Sequence, residues 1–149
     1  MPLSKADFIA SMINGHLYYF VNSQFLSSDP HYHLCVHTKD NKIIFLLCGT
    51  SKPESTTRYL DYNKISYETF VPVKPNSLIN SLTKDTYFHC NQVFQFTGDE
   101  LYTLYLNGDF SERGTIAEYE LHNVKNGISV SPILETSLIK EILTSFPEF

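Results

Sequence analysis

Residues 33–52 decide the fold, and they read HLCVHTKDNKIIFLLCGTSK. Residues 33–37 are rich in branched and apolar side chains, and residues 43–48 form an unbroken apolar run. Between them, Asp40 and Asn41 are typical of a tight turn, because both residue types tolerate a left-handed backbone. The stretch therefore predicts a β-hairpin whose second strand is buried on both faces of a sheet.

Further strands are predicted on either side of this hairpin, because aromatic and branched runs alternate with turn signals. The predicted strands lie near residues 15–21, 33–37, 42–50, 67–73 and 86–96, the last as one bent strand or two short ones. We expect these strands to close into a small barrel. The predicted fold class is therefore β-rich α+β, a small barrel with appended helices.

The helices are predicted from apolar residues at helical spacing. Residues 4–12 fit a short N-terminal helix, and residues 100–106 and 121–128 fit two more, so the elements after residue 98 are expected to be helices. A last helix is predicted to begin with Ser131 as its N-cap and Pro132 as its first residue.

Composition bounds the class of protein. The chain has 149 residues, 42% of them hydrophobic and 18% charged, which excludes a disordered chain and predicts a single domain over residues 1–149. The longest apolar run, residues 43–48, is far shorter than the roughly 20 residues of a membrane-spanning helix. The three cysteines are an odd number and lie in apolar runs, which is typical of reduced core thiols. With no signal-peptide pattern at the N-terminus, these features predict a cytoplasmic protein without a membrane partner.

The formal net charge of −5 argues mildly against a nucleic-acid partner. Affinity for a polyanion comes mainly from cations that face phosphates. Seven of the eleven Lys and Arg residues precede residue 76, however, so this half of the chain has enough cations for a local cationic patch. Any site for RNA or DNA must therefore be such a patch.

Three histidines alternate along the first strand of the hairpin. His31, His33 and His37 would share one face of a strand, as metal ligands do. A further ligand is not evident, because His89, Asp85 and Glu68 lie at no diagnostic spacing. The sequence therefore predicts no metal site, and a cupin-like His-x-His metalloenzyme is kept as the less favoured alternative.

A polar segment follows the buried strand directly. Residues 49–64 show neither helical nor strand periodicity and are interpreted as a long loop. Its first residues, Gly49, Thr50, Ser51 and Lys52, combine two hydroxyls, backbone N–H groups and an ammonium. This combination can hold phosphate oxygens, although a polar loop that only caps the strand end has the same composition.

The order of these segments resembles the PemK/MazF-like toxin family, including the related toxins of RNA-antitoxin systems. The similar segments are residues 15–20 (GHLYYF), 30–36 (PHYHLCV), 45–51 (FLLCGTS), 86–93 (TYFHCNQV), 113–116 (RGTI) and 120–121 (EL). Together they extend over about residues 15–145. No single segment is specific, and the resemblance depends on their order and spacing.

The resemblance implies an SH3-like β-barrel with appended helices that forms a homodimer. It also implies an endoribonuclease that cuts single-stranded RNA to 2′,3′-cyclic phosphate and 5′-OH ends without a metal or other cofactor, with a cognate protein or RNA antitoxin. On this basis His31 is assigned as acid/base, Thr50 and Ser51 as donors to the phosphate oxygens, and Lys52 as the transition-state cation.

Three further residues are assigned to RNA binding: Arg58, Asn91 and Arg113. The chain departs from the family at three positions: His16 replaces an Asp before the first strand, His31 replaces an Arg, and Asn91 replaces an Asp that some members use as a base. The departures at His31 and Asn91 bear on the chemistry. Asn91 is also explained by a structural role at a strand end. The alternative function is therefore a catalytically silent barrel that binds RNA or a protein.

Overall fold

The protein has an α+β fold in the computed structural model, which describes residues 2–148. Five α-helices and seven strands occur within these residues. In chain order they are α1 (Lys5–Ala10), β1 (His16–Phe20), β2 (His31–Lys39), β3 (Ile43–Thr50), α2 (Glu54–Asn63), β4 (Phe70–Val73), β5 (Thr86–His89), β6 (Phe94–Thr97), α3 (Gly98–Leu106), β7 (Phe110–Thr115), α4 (Glu118–Ser129) and α5 (Thr136–Leu143), with a 3-10 turn at Tyr67–Thr69.

The strands form one antiparallel sheet in the order β4-β5-β3-β2-β1-β7. The predicted hairpin is confirmed as β2 and β3, and its turn residues Asp40 and Asn41 both have positive φ, at 55° and 53°. On the side away from β2, β3 pairs with two different strands: residues 43–46 pair with β6, and residues 49–50 pair with β5. The predicted strand at 86–96 is thus two short strands that contact different halves of β3.

The predicted closure into a barrel is not seen, because the edge strands β4 and β7 do not pair with each other within residues 2–148. The segment after β4 approaches β7 instead. There Thr115 N–H donates to the Ile79 carbonyl at 2.8 Å, and Ser81 N–H donates to the Arg113 carbonyl at 3.1 Å. The sheet is therefore an open one whose two ends are linked by a short non-strand segment.

Each face of the sheet carries its own apolar core. One face packs against α4 and α5 through Leu34, Phe45 and Leu47, and we call this the α4–α5 core. The other face packs against α1 and α3 through Ile44 and Leu46, and we call this the α1–α3 core. Because β3 contributes to both cores, its unbroken apolar sequence is explained.

Three expectations about individual elements are wrong. Residues 54–63 form the helix α2 rather than a loop; only Leu60 on it is fully buried, so the apolar periodicity is weak. A strand, β7, interrupts the predicted helical region, and its polar sequence fits an edge strand with one buried residue, Phe110. The last helix begins at Thr136 and not at Pro132. The Ser131 hydroxyl accepts from the backbone N–H groups of Ile133 and Leu134, both at 3.3 Å, and donates to the Asn91 amide oxygen at 2.6 Å, but these bonds close only a turn that does not continue as a helix.

Across residues 2–148, no helix combines the length and apolar character that crossing a bilayer requires. The longest helix, α4, has 12 residues and carries Glu118 and Glu120 in its first turn.

Candidate phosphate-binding cleft

A cleft of about 360 Å³ lies where the start of β2, the end of β3 and the segment before β5 meet. Its walls are polar and aromatic and come from four separate parts of the chain. The residues that line it are Tyr19, Pro30, His31, Tyr32, Gly49, Thr50, Ser51, Lys52, Thr83, Lys84 and Thr86. All four residues assigned to catalysis from the sequence are among them.

Gly49 brings the β3 end of the cleft against β5. A Cβ atom at this position would lie 2.6 Å from Thr86 Cγ2 and 2.9 Å from Phe88 Cε1, closer than side chains tolerate. The absence of a side chain lets Gly49 and Thr50 pair with β5 while both still border the cleft. The strand pairing therefore fixes the point at which the chain leaves the sheet.

The Thr50 hydroxyl orders the residues that follow. Its oxygen accepts from the Lys52 backbone N–H at 3.0 Å, and its proton is donated to the Lys52 carbonyl at 3.3 Å. The Ser51 hydroxyl has no such partner within the described part of the chain. Of the two hydroxyls, Ser51 is thus the one available to a ligand, and Thr50 holds the turn that carries Lys52.

The cleft is electropositive although the chain is acidic overall. Lys52 and Lys84 line it, and none of the Asp and Glu residues within residues 2–148 does. Neither ammonium takes part in an ion pair with any described residue. Two unpaired cations beside a hydroxyl are suited to a phosphate group.

His31 lines the cleft from the start of β2, the strand that pairs with β3. Its ring lies edge-on to Phe25 at 5.3 Å between centroids, and its Nδ1 is buried without a hydrogen-bond partner in the described residues. A buried imidazole nitrogen without a partner is costly, so this atom has unused capacity for a hydrogen bond to a buried water.

The backbone of His31 is held by the next histidine on the same strand face. His33 Nδ1 donates to the His31 carbonyl at 3.0 Å, while His33 Nε2 accepts from Asn22 Nδ2 at 3.1 Å. Burial lowers the pKa of His33 to about 3, which fits this neutral tautomer. His33 and Asn22 thus connect the β1–β2 loop to the cleft wall.

Aromatic residues complete the cleft, and the sequence reasoning missed them. Tyr19 and Tyr32 are cross-strand partners on β1 and β2, with ring centroids 4.6 Å apart. The Arg113 guanidinium lies over the Tyr19 ring at 4.6 Å, so this residue, assigned to RNA binding, borders the cleft through Tyr19. Pairing the predicted strands antiparallel in the correct register would have brought the two tyrosines together.

None of the three residues assigned to RNA binding is among the described residues that line the cleft, and only Arg113 contacts one of these lining residues, Tyr19. Arg58 is exposed on α2. Asn91 is buried, and both ends of its amide are used: Nδ2 donates to Thr69 Oγ1 at 2.7 Å, and the oxygen accepts from Ser131. These contacts match the structural explanation of Asn91.

The expectation that three histidines share a face is wrong. A β-bulge between Cys35 and His37 shifts the register of β2 by one residue. His37 consequently packs against Phe45 of the α4–α5 core and contacts Ser145 Oγ, whereas His33 stacks on Phe20 of the α1–α3 core. Among the residues the structure describes, no three potential metal-ligating side chains cluster.

The cysteines do not supply a nucleophile to the cleft. Burial raises the pKa of Cys35, Cys48 and Cys90 to about 12, so each thiol stays protonated at neutral pH. None of the three lines the cleft. Chemistry here would depend on the hydroxyl, imidazole and ammonium groups.

Comparison with known proteins adds no family assignment: no protein-family model matches the chain, and no curated protein matches it significantly.

Proposed function

We propose that the cleft is the active site of a toxin-like endoribonuclease that cuts single-stranded RNA without a metal. The observation that carries this proposal is the convergence of His31, Thr50, Ser51 and Lys52 in one cleft of about 360 Å³. These residues come from the start of β2 and from the end of β3 and the turn after it. A polar loop that only capped β3 would not require an imidazole and a second lysine, Lys84, beside it.

The chemistry is an internal transfer that needs no water. The ribose 2′-OH attacks the adjacent phosphorus, a P–O2′ bond forms, and the P–O5′ bond breaks to leave a 2′,3′-cyclic phosphate and a 5′-OH. The 2′ proton leaves as the nucleophile attacks, and a proton is supplied to the departing 5′ oxygen. His31 takes part in this proton exchange, while Lys52 and the Ser51 hydroxyl stabilise the charge on the non-bridging oxygens.

The proposal extends to the architecture and the partners of the enzyme. The hydrogen bonds between residues 79–81 and β7 support reading the sheet as a distorted SH3-like barrel. The enzyme would act in the cytoplasm as a homodimer, and a cognate antitoxin, protein or RNA, would block the cleft.

A second candidate is a silent barrel that binds RNA and does not cut it. One observation favours it: the Thr50 hydroxyl is engaged by the backbone of Lys52 rather than directed to a ligand. In this case the lysines and the aromatic rings would bind the strand without catalysing transfer.

Analysis of the product ends distinguishes the two candidates. Purified protein is incubated with a single-stranded RNA in EDTA, and a matched RNA carries 2′-O-methyl groups throughout. We expect cleavage of the first RNA only, with a terminal cyclic phosphate and a 5′-OH that kinase can label directly. EDTA should alter neither the rate nor the thermal stability, because the proposed transfer uses side chains alone.

Cleavage of the methylated RNA, or loss of activity on removing a copurified metal, would contradict the proposed mechanism. Binding of both RNAs without cleavage of either would favour the silent barrel.

A further inference from the structure

Two tyrosines and an arginine form a continuous row at the edge of the cleft. The Arg113 guanidinium lies 4.6 Å above the Tyr19 ring, and the Tyr19 and Tyr32 centroids are 4.6 Å apart with the ring planes at 45°. Both rings are only partly buried and both line the cleft that contains Lys52. Aromatic surface and fixed cations therefore lie side by side.

Packing alone does not explain why these rings are at the surface. Tyr32 packs partly against the α4–α5 core, but neither the Tyr19 nor the Tyr32 hydroxyl has a hydrogen-bond partner among residues 2–148. Of the other eight tyrosines, four bond through their hydroxyls to described residues (Tyr18, Tyr67, Tyr102 and Tyr105) and four do not, so the hydroxyls do not set the row apart. Its distinctive feature is partly exposed aromatic ring surface beside a guanidinium.

We infer that the Tyr19–Tyr32–Arg113 row is a stacking site for the nucleobase next to the phosphate held by Lys52. This inference rests on the proposed function, since it takes the ligand of the cleft to be a nucleic-acid strand. Aromatic rings and guanidinium planes are the surfaces on which unpaired bases stack in RNA-binding proteins. The proposed site therefore accounts for recognition, and the lysines account for the phosphate.

The row also defines the class of substrate. A base can enter it only when it is unstacked from its own strand, so duplex RNA is excluded. Every base has a π-face, so we expect the site to accept any of the four bases without a sequence preference. The Tyr32 hydroxyl contributes little, because stacking uses the ring.

The absence of tryptophan from the chain allows a direct test. In the variant Tyr32→Trp, the single indole reports on stacking through its fluorescence. The probe is a short single-stranded RNA with 2′-O-methyl groups, which is not cut. The matched control is Tyr119→Trp, an exposed position on α4.

We expect the single strand to quench the fluorescence of the Tyr32→Trp variant saturably. The same sequence as a duplex, or an oligonucleotide that is abasic throughout, should not quench it. The indole of the Tyr119→Trp control should not respond to any of the three. Equal quenching by the abasic strand, or equal quenching in both variants, would overturn the stacking site.

Kinetics separates this inference from the proposed nuclease. Replacement of Tyr32 by Ala should raise KM for single-stranded RNA by about 10- to 100-fold with little change in kcat, and Tyr32→Phe should retain the parent KM. Quenching in the Tyr32→Trp variant without any cleavage by the parent protein would refute the nuclease and keep the stacking site. Cleavage with an unchanged KM in Tyr32→Ala would refute the stacking site and keep the nuclease.

Discussion

His33 of β2 is fully buried as a neutral imidazole, and both of its ring nitrogens are hydrogen-bonded. Its ring stacks on that of Phe20, with 4.1 Å between the two ring centroids. Burial lowers its pKa to about 3, far below that of an exposed histidine. Between these two values the unfolded chain binds a proton that the folded protein does not. The free energy of unfolding must therefore decrease as the pH falls through this window.

We predict that stability is nearly independent of this group above about pH 7 and falls between about pH 6.5 and 3.5, by on the order of 1 kcal/mol per pH unit from His33. Burial also lowers the pKa of His37 and His89, which adds to the slope with the same sign. Urea unfolding across the pH range measures it. The variant His33→Gln should have a shallower slope, whereas the core variant Leu17→Val should lose stability with the parent slope.

An unchanged slope in His33→Gln would mean that this histidine is protonated in the folded protein. The hydrogen bond to the His31 carbonyl would then not fix the neutral tautomer described above.

The link between the segment after β4 and β7 depends on a glycine. Gly114 has a φ of 93°, and a Cβ there would lie 2.1 Å from the Ile79 carbonyl oxygen. We predict that Gly114→Ala destabilises the protein by more than about 1–3 kcal/mol, because the strained backbone and the clash add. Gly108, with a φ of 78° but no atom within 4 Å, is the matched control and should lose less.

Thermal unfolding measures both glycine variants. Equal losses for Gly114→Ala and Gly108→Ala would show that only the backbone strain matters and that the close approach of residues 79–80 to Gly114 adds nothing.

Elements differed in how far the sequence could predict them. The β2–β3 hairpin was predictable because its turn residues and its two-sided burial are local signals. The helix α2 was not, since it contributes only Leu60 to a small cluster with Ile65 and Phe70. The β-bulge that places His37 on the opposite face leaves no trace in the spacing of the histidines.

The candidate site was predictable to the extent that it is built from sequence neighbours. Thr50, Ser51 and Lys52 are consecutive, and the resemblance to a toxin family pointed to His31. Lys84 and the tyrosine pair join them only through strand register and the path of the chain before β5, which depend on long-range pairing.

At the scale of the whole molecule, the distribution of charge matters more than its sum. The net charge of −5 predicts weak general affinity for nucleic acid. The cleft, in contrast, is lined by Lys52 and Lys84, and no carboxylate among the described residues lines it. A cationic cleft on an acidic protein favours a strand that reaches into it and disfavours adsorption elsewhere.

The most direct test is single-turnover cleavage of a single-stranded RNA, measured beside its binding, by the parent protein, Lys52→Ala and Lys42→Ala. Lys42 is exposed at the β2–β3 turn and does not line the cleft, so it controls for loss of one positive charge. We predict that Lys52→Ala lowers the cleavage rate by about 10²- to 10³-fold while thermal stability changes little, and that Lys42→Ala cleaves like the parent. Parent protein that leaves the RNA intact from pH 5 to 9, or a Lys52→Ala variant that cuts at the parent rate, would contradict a phosphoryl-transfer site in this cleft.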